Sequence, residues 1–405
     1  MNTSFIILTT YFFFILEMLL IGQSFFYTRR ERKTERPTYT PKVAIVAPHY
    51  GWDDETAEHA KSLLDQDYEG DFQICFVTHE KDDSGYDVSY PHLQELVKDV
   101  PHADVFLAPN IIDNNLPRSQ KVQNLMTVIE NLSEDVEVIA FVDADVAIQK
   151  DWLRLLVTPL QDNTIGATVG GRFYFPQTWN FPSLVEATWV NFQMALQGDH
   201  WLTMVWGGSN AFRREFLEKG QILQRWKQAT IEDLNTTRAV RDVKRKIHFV
   251  PDCVAVTRTS NRTWGQIFEF TNRQMIMTRH MGLWAQWFGS LILFLPKAVL
   301  IVGAIPFAIP FVGSQPGLLP VVFIPFFEVI SYRLCCRNLP QWLREMPKVR
   351  DTLRISKYAA PFSIFLAGIN ALYAMFQRKI VWGGVRYEIL SATTCRVLGR
   401  VKDQN

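Results

Sequence analysis

"FVDADVAIQKDW", residues 141–152, decides how the chain is read. Phe141 and Val142 close an apolar run, VEVIAFV (136–142), with the length and β-branched content of a buried strand. Asp143 and Asp145 follow at once, with only Ala144 between them. Two carboxylates this close tolerate full ionisation only beside a cation. Hard oxygen donors suit Mg²⁺ or Mn²⁺, ions that keep waters and add phosphate oxygens to their shell. An Asp-x-Asp at a strand end therefore predicts a divalent ion holding a diphosphate, although a lone pair of this kind also occurs as a solvated turn.

The neighbouring segments supply the frame. KVAIVAP (42–48) and FQICFVT (72–78) are further strand-like runs. TAEHAKSLLDQDY (56–68), RSQKVQNLMTVIENL (118–132) and WLRLLVTPL (152–160) read as helices. This alternation predicts an α/β domain over residues 37–280, with a mostly parallel sheet covered on both faces. In such sheets ligands bind beyond the carboxyl ends of the strands, where Asp143 and Asp145 fall. Two more acidic clusters are expected along the same edge: Asp82 and Asp83 in EKDDSG (80–85), and Glu232 and Asp233 in TIEDLNTTRAV (230–240). Of the last two, one acid suits a general base and the other a helix cap, in either order.

The 405 residues carry a formal net charge of +1, so no global field favours nucleic acid. Five cysteines, an odd number with no CxxC, argue against a disulfide framework and for a reducing compartment. Cys335–Cys336 marks the end of an apolar stretch, open to acylation or simply a membrane-end pair.

Three regions are too apolar for a wet surface. Residues 4–28 match the ~20 needed to span a bilayer. Their positive charges, Arg29 to Arg36, come after the run rather than before it. That order predicts an uncleaved anchor with the following domain in the cytoplasm, against the alternative of a cleaved signal. Residues 283–335 are expected as a span, a Pro/Gly turn and a return span, with Lys297 reaching out to the headgroups. Residues 338–357 suit an interfacial amphipathic helix or a solvated surface helix. Residues 358–377 suit a further span or a re-entrant hairpin, and 378–405 form a tail. The pattern fits a multi-pass protein of an endomembrane or a bacterial inner membrane. Inside the domain, FPSLVEATWVNFQMALQGDHWLTMVWGG (181–208) is apolar all round a helical wheel. It is either core or a helix dipping into the inner leaflet. His200 within it is expected to be structural.

Taken in order, the motifs resemble the inverting nucleotide-sugar glycosyltransferases of the ceramide glucosyltransferase branch, with the GT-A fold. VAIVAPHYGWDDETAEHAKSLLDQDY is similar to that family's first strand, loop and helix, and SQKVQNL (119–125) to its Lys- and Asn-bearing helix start. FVDADV resembles its metal motif, GGSNAFRRE (207–215) its acceptor loop, EDL (232–234) its base motif and WGGVRYEI (382–389) its tail element. The Gln/Arg-x-x-Arg-Trp motif departs: RQMIM (273–277) keeps Arg273 and Gln274 but has Ile276 and Met277 in place of Arg-Trp. Arg279, three residues beyond Ile276, is a candidate for the missing charge.

The resemblance implies a metal-dependent hexosyltransferase that uses a UDP-sugar and a membrane lipid hydroxyl, of ceramide or a diacylglycerol-like lipid. Asp145 and Asp143 would hold Mg²⁺ or Mn²⁺. Pro48, Asp83 and Lys121 would lie near the uracil and ribose, with Asp143 close by. Arg273, Gln274 and Arg279 would face the diphosphate, and Asp233 would be the base. Lys121 otherwise reads as an ordinary ion pair, and WGGVRY as a plug against the membrane. No protein partner is expected. Two rivals remain: a processive polysaccharide synthase of the same broad fold, and a non-catalytic lipid-binding relative.

Overall fold

In the computed structural model, residues 3–81, 85–194, 197–281, 284–308 and 315–401 are described. The strands of the α/β domain are β1 (Val43–Pro48), β2 (Phe72–His79), β3 (Ala103–Ala108), β4 (Val138–Val142), β5 (Ile165–Pro176), β6 (Ser209–Arg213) and β7 (Lys246–Thr259). They form one sheet in the order β3-β2-β1-β4-β6-β5-β7. β1 to β4 are parallel, β6 runs against both β4 and β5, and β5 is parallel to β7. The expected α/β domain with a mostly parallel sheet is present.

Both faces of the strands are buried. Val43, Ile45 and Ala47 of β1 pack on one side with Ala60, Leu63, Trp152 and Leu153. Ala44 and Val46 pack on the other with Val122, Leu125 and Met126. This two-residue alternation assigns the helices Asp54–Leu64 and Trp152–Val157 to one face and Gln120–Glu130 to the opposite one. The chain leaves β1 towards β2 and β3, then returns to place β4 on the other flank of β1. That reversal opens a crevice at the strand ends. The register Val46↔Phe141 brings Pro48 level with Asp143.

Among the described residues, two helices are long and apolar enough to cross a membrane, Leu8–Glu31 and Gln286–Gly303. The region expected as the return span holds the helix Gln315–Cys336, which carries Glu328 and Arg333. Lys297 does not reach outward as expected. It is buried, donating to Glu328 Oε1 at 2.7 Å and to Glu17 Oε2. Two acids supplied by neighbouring helices satisfy an ammonium better than an extended stem can.

The single helix expected over 338–357 is two, Gln341–Glu345 and Pro347–Ser356. Met346 between them is extended, because a residue preceding proline is excluded from the helical region. Leu343 and Val349 from these helices pack against Phe173 and Phe175 of β5. The third apolar region holds the helix Ala360–Tyr373 of 14 residues, bent 70° from Pro347–Ser356. At 1.5 Å per residue it is about 21 Å long, short of the ~30 Å hydrocarbon layer on its own.

The tail is a folded unit. β8 (Lys379–Trp382), β9 (Val385–Ser391) and β10 (Thr394–Arg400) make an antiparallel meander. The β8–β9 turn is Gly383-Gly384, with φ of +56° and +73°, the pair of positive angles a two-residue hairpin turn requires. Tyr387 and Ile389 are buried against the helix Trp264–His280 and its neighbours.

Candidate active site

A cavity of about 850 Å³ lies at the β1/β4 crevice. It is walled by the loop before β6, the start of the helix Asp233–Asp242, one face of Trp264–His280, the helix Phe181–Met194 and the β8–β9 turn.

Lys121 sits at its centre. Ser119 caps the helix Gln120–Glu130 by accepting from Val122 N at 3.2 Å, which brings Lys121 into the first turn. The Lys121 ammonium lies 2.6 Å from Asp143 Oδ1 and 2.6 Å from Glu232 Oε1. It is a bridge within the cavity and not a surface pair. Asp145 is held differently, with its Oδ2 accepting from Arg172 Nη2 at 2.7 Å. Arg172, on β5, is fixed by Thr257 Oγ1 at 3.1 Å and by the rings of Tyr174 and Trp206, 4.7 and 5.0 Å away. The Asp145 side chain is 59% exposed and that of Asp143 21%, so Asp145 is the more open of the two to a ligand.

Asp233 begins its helix beside these groups. Its Oδ1 accepts from Leu234 N at 2.6 Å and its Oδ2 from Gly207 N at 3.2 Å. Burial, reinforced by the neighbouring Glu232 charge and opposed by Lys121, pushes its carboxyl up to about 7. Glu232 is more deeply buried and its Oε1 is committed to Lys121. Asp233 makes no ion pair among the described residues. A Cβ at Gly207 would lie 2.3 Å from Glu232 Oε1 and 2.8 Å from Lys121 Nζ, so a side chain there would displace the ends of both.

Of the remaining expected residues, Pro48 lines the cavity, and Asp83, with Asp82, lies outside the described residues. Arg273 and Gln274 line it as well. Arg273 donates to Val381 O at 3.3 Å and stacks on Phe270 at 5.5 Å, and burial lowers its pKa. The structure does not bring Arg279 to the cavity. Its guanidinium donates to Ala374 O and lies 5.1 Å from the Trp287 ring. The helix shows Arg273, Gln274, Met277 and Thr278 to the cavity. At 100° per residue, position 279 is turned roughly 170° from the middle of that face. His200 Nδ1 accepts from Leu202 N at 3.2 Å, a local turn contact.

Several cavity groups had no place in the sequence reading. Arg172, Trp206, and the ring pair Tyr50 and His79, stacked with centroids 5.7 Å apart, are the clearest. The buried face of Phe181–Met194 contributes Trp189, which together with Met204, Phe270 and Met277 makes part of the cavity apolar.

The donor set fits a nucleotide-bound divalent ion. Among the described residues no three His, Cys, Asp or Glu side chains converge. Mg²⁺ needs only one or two carboxylates when phosphate oxygens and water complete its shell. Asp145, engaged by Arg172 through one oxygen, and Asp143 beside it, paired with Lys121, are the two carboxylates that could take that place.

The family described as Glycosyl transferase family 21 matches residues 10–395. Among solved structures, a mannosyltransferase from Pyrobaculum calidifontis, determined with GDP-Man and Mn2+, is similar at 16% identity and a TM-score of 0.43, over 90% of this chain and 99% of that one. No curated protein matches the sequence.

Proposed function

The chain belongs to glycosyltransferase family 21, and from that premise we propose that it moves a hexose from a UDP-sugar to the hydroxyl of a membrane lipid, of ceramide or diacylglycerol type, with inversion. The observation that carries this reading is the placement of Asp233. It is a carboxylate near neutral pKa, across one lysine from the paired Asp143 and Asp145.

The acceptor oxygen attacks the anomeric carbon as the bond from that carbon to the diphosphate oxygen breaks. The acceptor proton passes to Asp233, and the leaving diphosphate carries away the electron pair. Attack opposite the leaving group turns an α-linked donor into a β-linked product. A base placed this way supplies ~10²–10⁴-fold. Asp143 and Asp145 would hold Mg²⁺ or Mn²⁺, which supplies charge neutralisation for the departing diphosphate. Arg273 is available as a further cationic donor on the same wall. Two features support a lipid acceptor. The helix Trp264–His280 leads directly to a membrane-length helix, and Met204, Phe270 and Met277 give the cavity an apolar side.

Incubating membranes that contain the protein with radiolabelled UDP-sugars, then extracting lipids, tests the reading. A small labelled glycolipid is expected. A long labelled polymer would indicate the processive synthase instead, and no incorporation from any UDP-sugar would leave the lipid-binding relative. The metal assignment has its own check. Asp145→Asn should raise the Mn²⁺ concentration for half-maximal rate by at least about 10–100-fold, the scale seen even for outer-shell partners of a metal. An unchanged Mn²⁺ titration would remove Asp145 as a ligand.

A further inference from the structure

The cluster around Lys121 holds more charge than the transfer chemistry itself requires. Glu232 is committed to Lys121 through Oε1. Its Oε2 is buried with no hydrogen-bond partner among the described residues. Leaving a buried carboxylate oxygen unsatisfied is costly, so a second role is called for. Gly207 adjoins the same cluster. Its N–H donates to Asp233 Oδ2, and a Cβ there would lie 2.3 Å from Glu232 Oε1 and 2.8 Å from Lys121 Nζ. One loop therefore lies against the base, the acid beside it and the lysine together.

We propose that Glu232 and Lys121 are positioning residues that set the ionisation of Asp233 from opposite directions, while Lys121 ties that setting to the donor-side carboxylate Asp143. The assignment of Asp233 as the base rests on the transferase reading above; the electrostatic coupling does not. The groups facing Asp233 come from separate elements. Glu232 and Leu234 N belong to its own turn, Gly207 N to the loop before β6, and Lys121 to the helix Gln120–Glu130. Asp143, on the far side of Lys121, shares that ammonium at the same 2.6 Å as Glu232. Arg273 lines the same cavity from the helix Trp264–His280. The Glu232 charge disfavours a second negative charge on Asp233, and the Lys121 charge favours it.

The test reads Asp233 without relying on turnover. Melting temperatures of the full-length protein in detergent are measured from about pH 5 to pH 9, each background compared with the same protein carrying Asp233→Asn. The difference stops changing as pH passes the folded-state midpoint of Asp233, which locates that titration by linkage. In wild type that midpoint is expected near 7. Glu232→Gln, close to isosteric, should lower it by about one pH unit, and Lys121→Met should raise it by a similar amount, since one nearby charge moves a carboxyl by ~1–3 pH units. In an active preparation the acid limb of kcat/KM should follow, changing the rate at low pH about tenfold in opposite senses for the two variants. Opposite displacements are something a purely structural role would not produce. An unmoved midpoint in Glu232→Gln, or displacement of both variants in one direction, overturns the proposal. Should Lys121→Met not fold, Glu232→Gln alone decides. Shifted midpoints in a protein inert towards every UDP-sugar would sink the transferase reading and leave the coupling standing.

Discussion

Asp233→Asn lowers kcat by about 10²–10⁴-fold, the contribution of a positioned general base, while the donor KM changes little. The donor-side groups Asp143, Asp145 and Arg172 are untouched by the substitution, so donor binding survives. The asparagine amide oxygen can still accept from Leu234 N, so the helix start is kept. The pH profile fixes the sign. The base is active when deprotonated, and its pKa lies at about 7. Wild-type kcat/KM should therefore fall tenfold per pH unit on the acid side of that value, and the residual rate of the variant should lack this limb. Stability moves the other way. A carboxyl raised from 3.8 to about 7 binds more protons folded than unfolded between those values. Its contribution to stability is thus greatest below about 4 and declines as pH rises through 7. The asparagine variant carries no such penalty, and its melting temperature above pH 7 should not fall below wild type by the margin expected of a damaged fold. A variant with wild-type turnover would exclude Asp233 as the base.

What was legible in the sequence depended on how local each signal is. β1, β2 and β4 are short apolar runs bounded by polar residues, and the acids that follow β4 needed no knowledge of distant chain. The helix start bearing Lys121 and the Glu232–Asp233 turn were legible for the same reason. Arg172 was not. It is one arginine inside the strand IGATVGGRFYFP, and only the pairing of β5 with β7 and β6 carries it to Asp145. β6 is five residues long and antiparallel to its neighbours, so strand–helix alternation gives no hint of it. In the tail, the Gly-Gly pair is a local hairpin signal, but only the folded meander brings Trp382 and Tyr387 to the cavity. Arg279 was misplaced because the step of three residues was measured from Ile276, which is itself buried on the side away from the cavity. Lys297 was read as an isolated charge in an apolar helix. Its partners, Glu17 and Glu328, are 280 and 31 residues away.

That last cluster sets the second large effect. Lys297→Met should destabilise the protein by about 3–5 kcal/mol, the cost of stranding the partner of a buried ion pair. Here the loss leaves two carboxylates, Glu17 and Glu328, facing each other in a dry environment. Glu17 belongs to the helix Thr3–Glu31, Lys297 to Trp284–Ala308 and Glu328 to Gln315–Cys336, so the ammonium is a shared contact of three helices, the first of them far from the other two in the chain. The effect should appear as a lower melting temperature in detergent and as protease access to the segment following Glu31. The junction of helix and domain is otherwise held by Tyr27 Oη, near the helix end, donating to Phe249 O at 2.6 Å and by Arg32 on Asp252 at 2.7 Å. A triple substitution, Glu17→Gln, Lys297→Met and Glu328→Gln, removes every charge at once and should recover most of the loss, because an apolar or neutral replacement of a whole buried cluster costs far less than breaking it. If the single and triple variants melted at the same temperature as wild type, the cluster would contribute nothing to joining the helices. Equal losses in both would show that packing volume, and not charge, is what Lys297 supplies.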